Sequence, residues 1–257
     1  MSLALKRKLP KLYSFIKKFE KYVPARIYLW DKKKYIVNLK IVSLLSIWRS
    51  WPRLKAESEI VYNFYKGGDF LDVGAYQGIY AFILAPKAHK NDTFILCEPD
   101  MDIEKELLDN IKILQKLFSF INFKYVSDPV GNGNKVVRNP TKYGHPTFGS
   151  KSDFNKENNS SVSLNSITLD ELVKKTQILP SFIKIDVEGA EYNVLNGMKN
   201  ILKTIKPTIM LEKHPTLLPN NIDISALDNI LYQNGYKIDK EIYKDDVAIT
   251  EIWKHYK

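Results

Sequence analysis

From residue 69 onward the chain alternates two kinds of apolar pattern. Residues 70–73, 93–97, 120–126, 182–185 and 208–211 are short runs rich in Ile, Val, Leu and Phe, the composition of strands buried on both faces. Between them apolar residues recur at helical spacing. Residues 100–117 place Ile103, Leu107, Leu108, Ile111 and Leu114 on one side. Further helices are expected after Pro52 to about Phe64, over 79–85 and over 191–202, and from about Ser225 to Gly235. Another starts at Thr168-Leu169-Asp170-Glu171, where Glu171 stands three residues past Thr168 as in a capping box, and Pro180 stops it. Residues 247–253 make a closing strand. Strand and helix in turn predict an α/β fold, a mostly parallel sheet with helices on both faces.

Two stretches depart from this rhythm. Ahead of the first strand, residues 10–23 read as an amphipathic helix with Leu12, Phe15, Ile16, Phe19 and Val23 on its stripe. Residues 26–30 and 35–39 follow as a β-hairpin around the turn at 31–34. Residues 127–162 are broken by Gly131, Gly133, Gly144 and Gly149 and then become a polar run of Asn, Ser and Lys. A loop of that length inside a compact domain is a mobile lid or a poorly ordered segment.

Charge divides the chain in the same way. Residues 1–55 hold 15 Lys or Arg against Glu20 and Asp31, a net +13, whereas the remaining residues carry −3 of the total +10. The basic character belongs to the N-terminal segment, which suits an anionic membrane surface or an acidic polymer. Solvated lysines are the plainer reading. No apolar stretch of transmembrane length occurs, and Lys6-Arg7-Lys8 leads into Leu9-Pro10-Lys11 without the apolar core of a signal peptide. A cytoplasmic protein, with peripheral membrane contact as the alternative, is expected. The single cysteine, Cys97, excludes an internal disulfide and is read as a buried strand residue.

Three places carry candidate chemistry. In Asp72-Val73-Gly74-Ala75-Tyr76-Gln77-Gly78 a strand ends in a Gly-x-x-x-Gly turn that opens a helix, the layout that lets backbone approach a nucleotide-like ligand. Tyr76 and Ile79 stand where a dinucleotide pattern wants glycines, which favours a ligand lacking a pyrophosphate. Glu98, followed by Pro99, ends the next strand 20 residues past Gly78, at the distance of a ribose-binding carboxylate. An ordinary βα turn with a solvated glutamate would show the same spacing. Farther on, Ile185-Asp186-Val187-Glu188-Gly189 and Leu211-Glu212-Lys213-His214 bring acids and a histidine to two more strand ends, where ligands of open α/β sheets bind. Helix capping or lysine pairing is the competing reading of Asp186 and Glu188, and a strand-end histidine that of His214; His214 is otherwise the natural base near neutral pH.

The order Asp-Val-Gly-Ala-x-x-Gly, Glu-Pro-Asp, Thr-Leu-Asp-Glu-Leu, Ile-Lys-Ile-Asp-Val-Glu-Gly-Ala-Glu and Leu-Glu-Lys-His resembles the FkbM family of S-adenosylmethionine-dependent methyltransferases. It covers about residues 55–254, with Tyr76 where the family has asparagine. The resemblance implies a seven-stranded Rossmann-like sheet with an antiparallel last strand. It divides the chain into a basic extension, residues 1–54, and a methyltransferase domain, residues 55–257. It also implies S-adenosyl-L-methionine as cofactor and methyl transfer to a hydroxyl of a sugar, glycan, lipid-linked or other small-molecule acceptor. Carried over by position, Asp72, Gly74, Ala75, Tyr76 and Gly78 border the methionine end. Glu98 with Pro99 meets the ribose, Asp128 the adenine, and Asp186 the transferring methyl. Asp186, Glu188, Glu212 and His214 form the catalytic set. Glu191 is expected to face along its helix, and no metal is assigned. A nucleic-acid methyltransferase and a non-catalytic cofactor-binding scaffold are the alternatives; the −3 body offers no basic groove for the first.

Overall fold

The computed structural model describes residues 19–139, 147–149, 163–219 and 221–256. A hairpin, β1 (Pro24–Tyr28) and β2 (Lys34–Asn38), leads into two helices, α1 (Leu39–Ser50) and α2 (Pro52–Phe64). The alternating body follows: β3 (Asp69–Val73), α3 (Ile79–Leu84), β4 (Thr93–Cys97), α4 (Met101–Leu117) and β5 (Asn122–Val126). After three short strands, β6 (Lys135–Asn139), β7 (Thr147–Gly149) and β8 (Ser163–Asn165), come α5 (Leu169–Thr176), β9 (Pro180–Ile185) and α6 (Glu191–Asn196). The chain closes with β10 (Thr208–Lys213), α7 (Ile224–Gln233), β11 (Tyr236–Lys244) and β12 (Ile249–His255).

The central sheet has seven strands in the order β11-β12-β10-β9-β3-β4-β5. β3 pairs in parallel with β4 on one side and β9 on the other, β10 runs parallel to β9, and β12 is antiparallel to both of its neighbours. The expected Rossmann-like sheet is therefore present. Sheet growth reverses at β3, so a crevice opens outside the carboxyl ends of β3, β4 and β9.

Apolar patterning builds a core on each face. On one, Phe70, Phe94 and Phe182 of three adjacent strands gather with Tyr65, all fully buried; Tyr65 meets Phe94 and Phe182 edge to face, as Phe70 does Phe94. The same cluster takes in Ile27 and Val37 of the hairpin and Ile41 and Leu45 of α1. The other face packs Leu71, Ile95, Ile183 and Ile209 against α5, α6 and α7.

Several local expectations need revision. α1 is a helix the periodicity did not announce: Asn38 caps it by accepting from the Ile41 amide at 2.9 Å, and Trp51–Pro52 breaks it from α2. The helix expected over 191–202 stops at Asn196, and a π-helical turn over Ile201–Ile205 follows. Residues 127–162 are not all loop, because β6 and β7 within them pair with each other, and β6 with β8 just beyond, as a small antiparallel sheet. β11 escaped notice since most of its residues are exposed, and an edge strand shows little alternation. Most of the helix expected over 10–23, and the polar run at 151–161, lie outside the described residues. Among the described residues no helix is long and apolar enough to cross a membrane.

Candidate active site

The crevice is organised by contact between two strand tips. Gly74 ends β3 with φ +80°, and a Cβ added there would overlap the backbone carbonyl of Asp186 at the tip of β9. Only glycine permits that approach. The Gly74 and Ala75 amides both donate to the Cys97 carbonyl of β4 at 3.0 Å, and the Asp186 amide donates to the Val73 carbonyl at 3.0 Å. Gly78, also at positive φ, launches α3, and a Cβ there would press on Leu96.

Beneath this junction lies Lys184, 2% exposed near the carboxyl end of β9. Its Nζ donates to the Gly74 carbonyl at 2.5 Å and lies 3.1 Å from Asp186 Oδ2 and 3.7 Å from Asp72 Oδ1. Burial alone would pull the ammonium's pKa down, but the carboxylates of Asp186 and Asp72 outweigh it and raise it. Burial likewise lifts Asp72 to about 7, against the pull of Lys184. Asp186 resists its own desolvation and stays below the usual carboxylate range, because Lys184 and His214 stand beside it.

The cavity above is walled by Gly74, Ala75, Tyr76, Glu98, Pro99, Asp186 and Glu188, together with Trp48, Val73, Ile79, Tyr80, Cys97, Asp100, Pro129, Val130, Lys184, Val187 and Ala190. Glu98 is anchored at both oxygens, accepting from the Tyr76 amide at 2.8 Å and the Asp100 amide at 2.9 Å. A carboxylate has about four lone-pair sites, so two remain for a ligand diol. Glycine turn, fixed carboxylate and largely apolar walls fit an adenosyl ligand. Tyr76 holds φ +47°, a left-handed conformation that asparagine tolerates better.

Not every expected residue reaches the wall. Asp72 and Gly78 lie beneath it, Asp72 fully buried against Lys184. Asp128 is exposed at the end of β5 and outside the wall; Pro129 and Val130 line it instead, held by Pro129 and Gly131 backbone bonds to Ile167. Glu212 turns away to Arg53 of α2, 2.5 Å from its Nη2. His214, 5% exposed, sits one contact beyond the wall. Its Nε2 faces Asp186 Oδ1 at 3.8 Å, Glu188 Oε2 at 3.7 Å and Glu212 Oε1 at 3.8 Å. Its Nδ1 lies 2.8 Å from Glu191 Oε1.

Glu191 thus contradicts its expected direction along the helix: it is fully buried and accepts from Gly189 N as well as meeting His214. Burial opposes a charge on His214, yet the bond to Glu191 and the surrounding carboxylates raise its pKa to about 9. Sequence reasoning also passed over Lys184, Trp48, Arg53, Glu57 and Tyr80. Trp48 of α1 donates to Ser58 Oγ at 2.8 Å and stacks edge-on against Tyr80, whose hydroxyl donates to Glu57. Burial and the neighbouring Glu212 raise Glu57 to about 8.

The model of the FkbM methyltransferase domain matches residues 72–238. This chain belongs to that family. The matched segment is its methyltransferase domain. Among solved structures, the FkbM methyltransferase of Methylobacillus flagellatus KT aligns with a TM-score of 0.51 and 18% identity, over 73% of this chain and 44% of that one. The chain therefore spans less than half the length of that relative, and the likeness shows the fold alone. Fibrillarin of Aeropyrum pernix, solved with bound S-adenosyl-L-methionine, aligns at a TM-score of 0.48 and 11% identity, over 91% of this chain and 83% of that one. No curated protein matches the sequence.

Two variants test the buried electrostatics. Lys184→Met strands Asp72 and Asp186 without their cation and should cost about 3–5 kcal/mol in urea unfolding; adding Asp72→Asn should recover part of that loss. Glu57 has a folded pKa above its unfolded 4.5, so the native state holds the extra proton and stability falls as pH rises from 4.5 through about 8. Glu57→Gln should therefore flatten the wild-type decline between pH 6 and 8 by roughly 2 kcal/mol in urea unfolding; parallel pH profiles would refute the assignment.

Proposed function

We propose that the enzyme methylates a hydroxyl group on a sugar, glycan, lipid-linked or other small-molecule acceptor. The observation that supports this reading is the cluster of Asp186, Glu188 and His214 at the cavity, backed by Glu191. Gly74, Ala75 and Tyr76 would hold the methionine end of the cofactor, and Glu98 beside Pro99 the ribose. When bound, S-adenosyl-L-methionine supplies a methyl group already activated on sulfonium sulfur. This chain's residues then have two tasks, alignment and removal of the hydroxyl proton. Asp186, kept ionised by Lys184, accepts a hydrogen bond from a hydroxyl in the cavity. Glu188, on the cavity wall beside Asp186, gives the proton a place to go, and protonated His214 holds the two carboxylates together. The acidic wall, with Glu98, Asp100, Asp186 and Glu188, repels a polynucleotide backbone and disfavours nucleic acid as acceptor.

A panel of hydroxylated acceptors incubated with isotope-labelled methyl donor tests the reading by mass shift. Label is expected on oxygen; label on nitrogen, or on RNA alone, refutes it. Glu98→Ala should abolish cofactor binding by calorimetry. His214→Gln should keep that binding and lower turnover by about 10²-fold or more.

The N-terminal segment is proposed to meet an anionic lipid surface. On the outward face of the hairpin Arg26 pairs across from Ile36 and Tyr28 across from Lys34, and Tyr28 and Ile36 are 60% and 66% exposed. Apolar and cationic side chains side by side suit a headgroup region. Pelleting with phosphatidylserine vesicles should exceed that with neutral vesicles severalfold and fall in 0.5 M salt (a condition of about 4 Å screening). Equal pelleting with both would dismiss the role.

A further inference from the structure

We infer that Asp186, Glu188 and His214 bind a divalent transition-metal cation, of the Mn2+, Co2+ or Zn2+ kind, at the inner end of the cavity. The oxygens of the two carboxylates and the ring nitrogen all lie within 4.8 Å of one another. Two of the three separations are 3.7 and 3.8 Å, from His214 Nε2 to Glu188 Oε2 and to Asp186 Oδ1. These distances are too long for hydrogen bonds. They are close to what two ligand atoms each about 2.1 Å from a common ion adopt, roughly 3–4 Å. Glu188, whose side chain is 43% exposed, has room to swing the remaining few tenths of an ångström inward.

The histidine supplies the second reason. It is 5% exposed, and its Nε2 is aimed into the cluster with no acceptor at hydrogen-bonding distance among the described residues. Its other nitrogen is held by Glu191 at 2.8 Å, and Glu191 is itself fixed by the Gly189 amide at 3.0 Å. A carboxylate on the far nitrogen fixes the ring orientation, so that when an incoming ion displaces the Nε2 proton the lone pair faces the cluster; metal-binding histidines are held in this way.

One imidazole with two carboxylates selects borderline transition ions over calcium, which prefers an all-oxygen shell. Asp186 and Glu188 line the cavity, so the remaining coordination positions open toward it. A hydroxyl of the acceptor, or two adjacent ones, takes those positions, and coordination makes its proton more acidic. That role rests on the methyl-transfer reading above; the site itself does not.

The test is calorimetry on full-length, EDTA-treated protein, with MnCl2 and ZnCl2 as the probes. One ion per chain with micromolar affinity is expected. Glu188→Gln and His214→Gln should each weaken binding at least tenfold, and Glu191→Gln by 10- to 100-fold, with circular dichroism confirming a native fold. Uptake only at millimolar metal, or an affinity unmoved in Glu188→Gln and in folded His214→Gln, overturns the site. S-adenosyl-L-methionine binding measured on the same metal-free sample separates the two readings. Cofactor uptake without metal uptake refutes the cation site and leaves methyl transfer standing, whereas metal uptake without cofactor uptake upholds the site and removes its role.

Discussion

A single buried ammonium carries the architecture of this crevice. Lys184, 2% exposed, sits in a mostly apolar strand; its charge is tolerated because Asp72, Asp186 and the Gly74 carbonyl close around it. The same contacts tie the turn after β3 to the tip of β9, the two segments that must meet for a cofactor pocket to exist. Hydrophobic burial assembles the sheet, but it has no preference for the relative height of two strand tips. A fixed charge with three oxygen partners does.

From that junction the electrostatics spread outward in order. Asp186 remains ionised because Lys184 is beneath it and His214 beside it. His214 in turn is oriented by Glu191, and Glu212 is drawn off to Arg53. Glu57 stays protonated at neutral pH because burial and the neighbouring Glu212 raise its pKa to about 8, more than Arg53, 3.9 Å away, lowers it. The site is thus a ladder of acids in different states, set by burial and by which basic residue each one reaches.

How far this was legible follows from where each signal lies along the chain. The glycine turn, Glu98 and the Asp186–Glu188 tip announce themselves because a buried strand must end in a turn, and the residue types there are chemical exceptions in an apolar run. Lys184 sent the same signal, a charge between Ile183 and Ile185, and reading it as part of a motif hid its own role. Trp48, Arg53 and Glu57 gave none, since their meeting with the site depends on how α1 and α2 fold back, which no local pattern encodes. Asp128 shows the opposite failure: its position at a strand end was right, but the backbone there turns Pro129 and Val130 inward and leaves the carboxylate in solvent. Tyr76 is a third kind of case, where a departure from the family residue shows in the structure as left-handed backbone strain.

The break at Trp51–Pro52 has a consequence for how such an enzyme diversifies. Trp48, Arg53 and Glu57 precede the stretch shared with the family, and Tyr243, over which the Arg53 guanidinium lies, comes after it. Trp48 on the cavity wall, and Arg53 and Glu57 behind it, are therefore written outside the matched segment, while both acidic tips and the glycine turn lie inside it. Exchanging the elbow of two upstream helices reshapes the entrance without disturbing the floor, a modular route to new selectivity on an inherited scaffold.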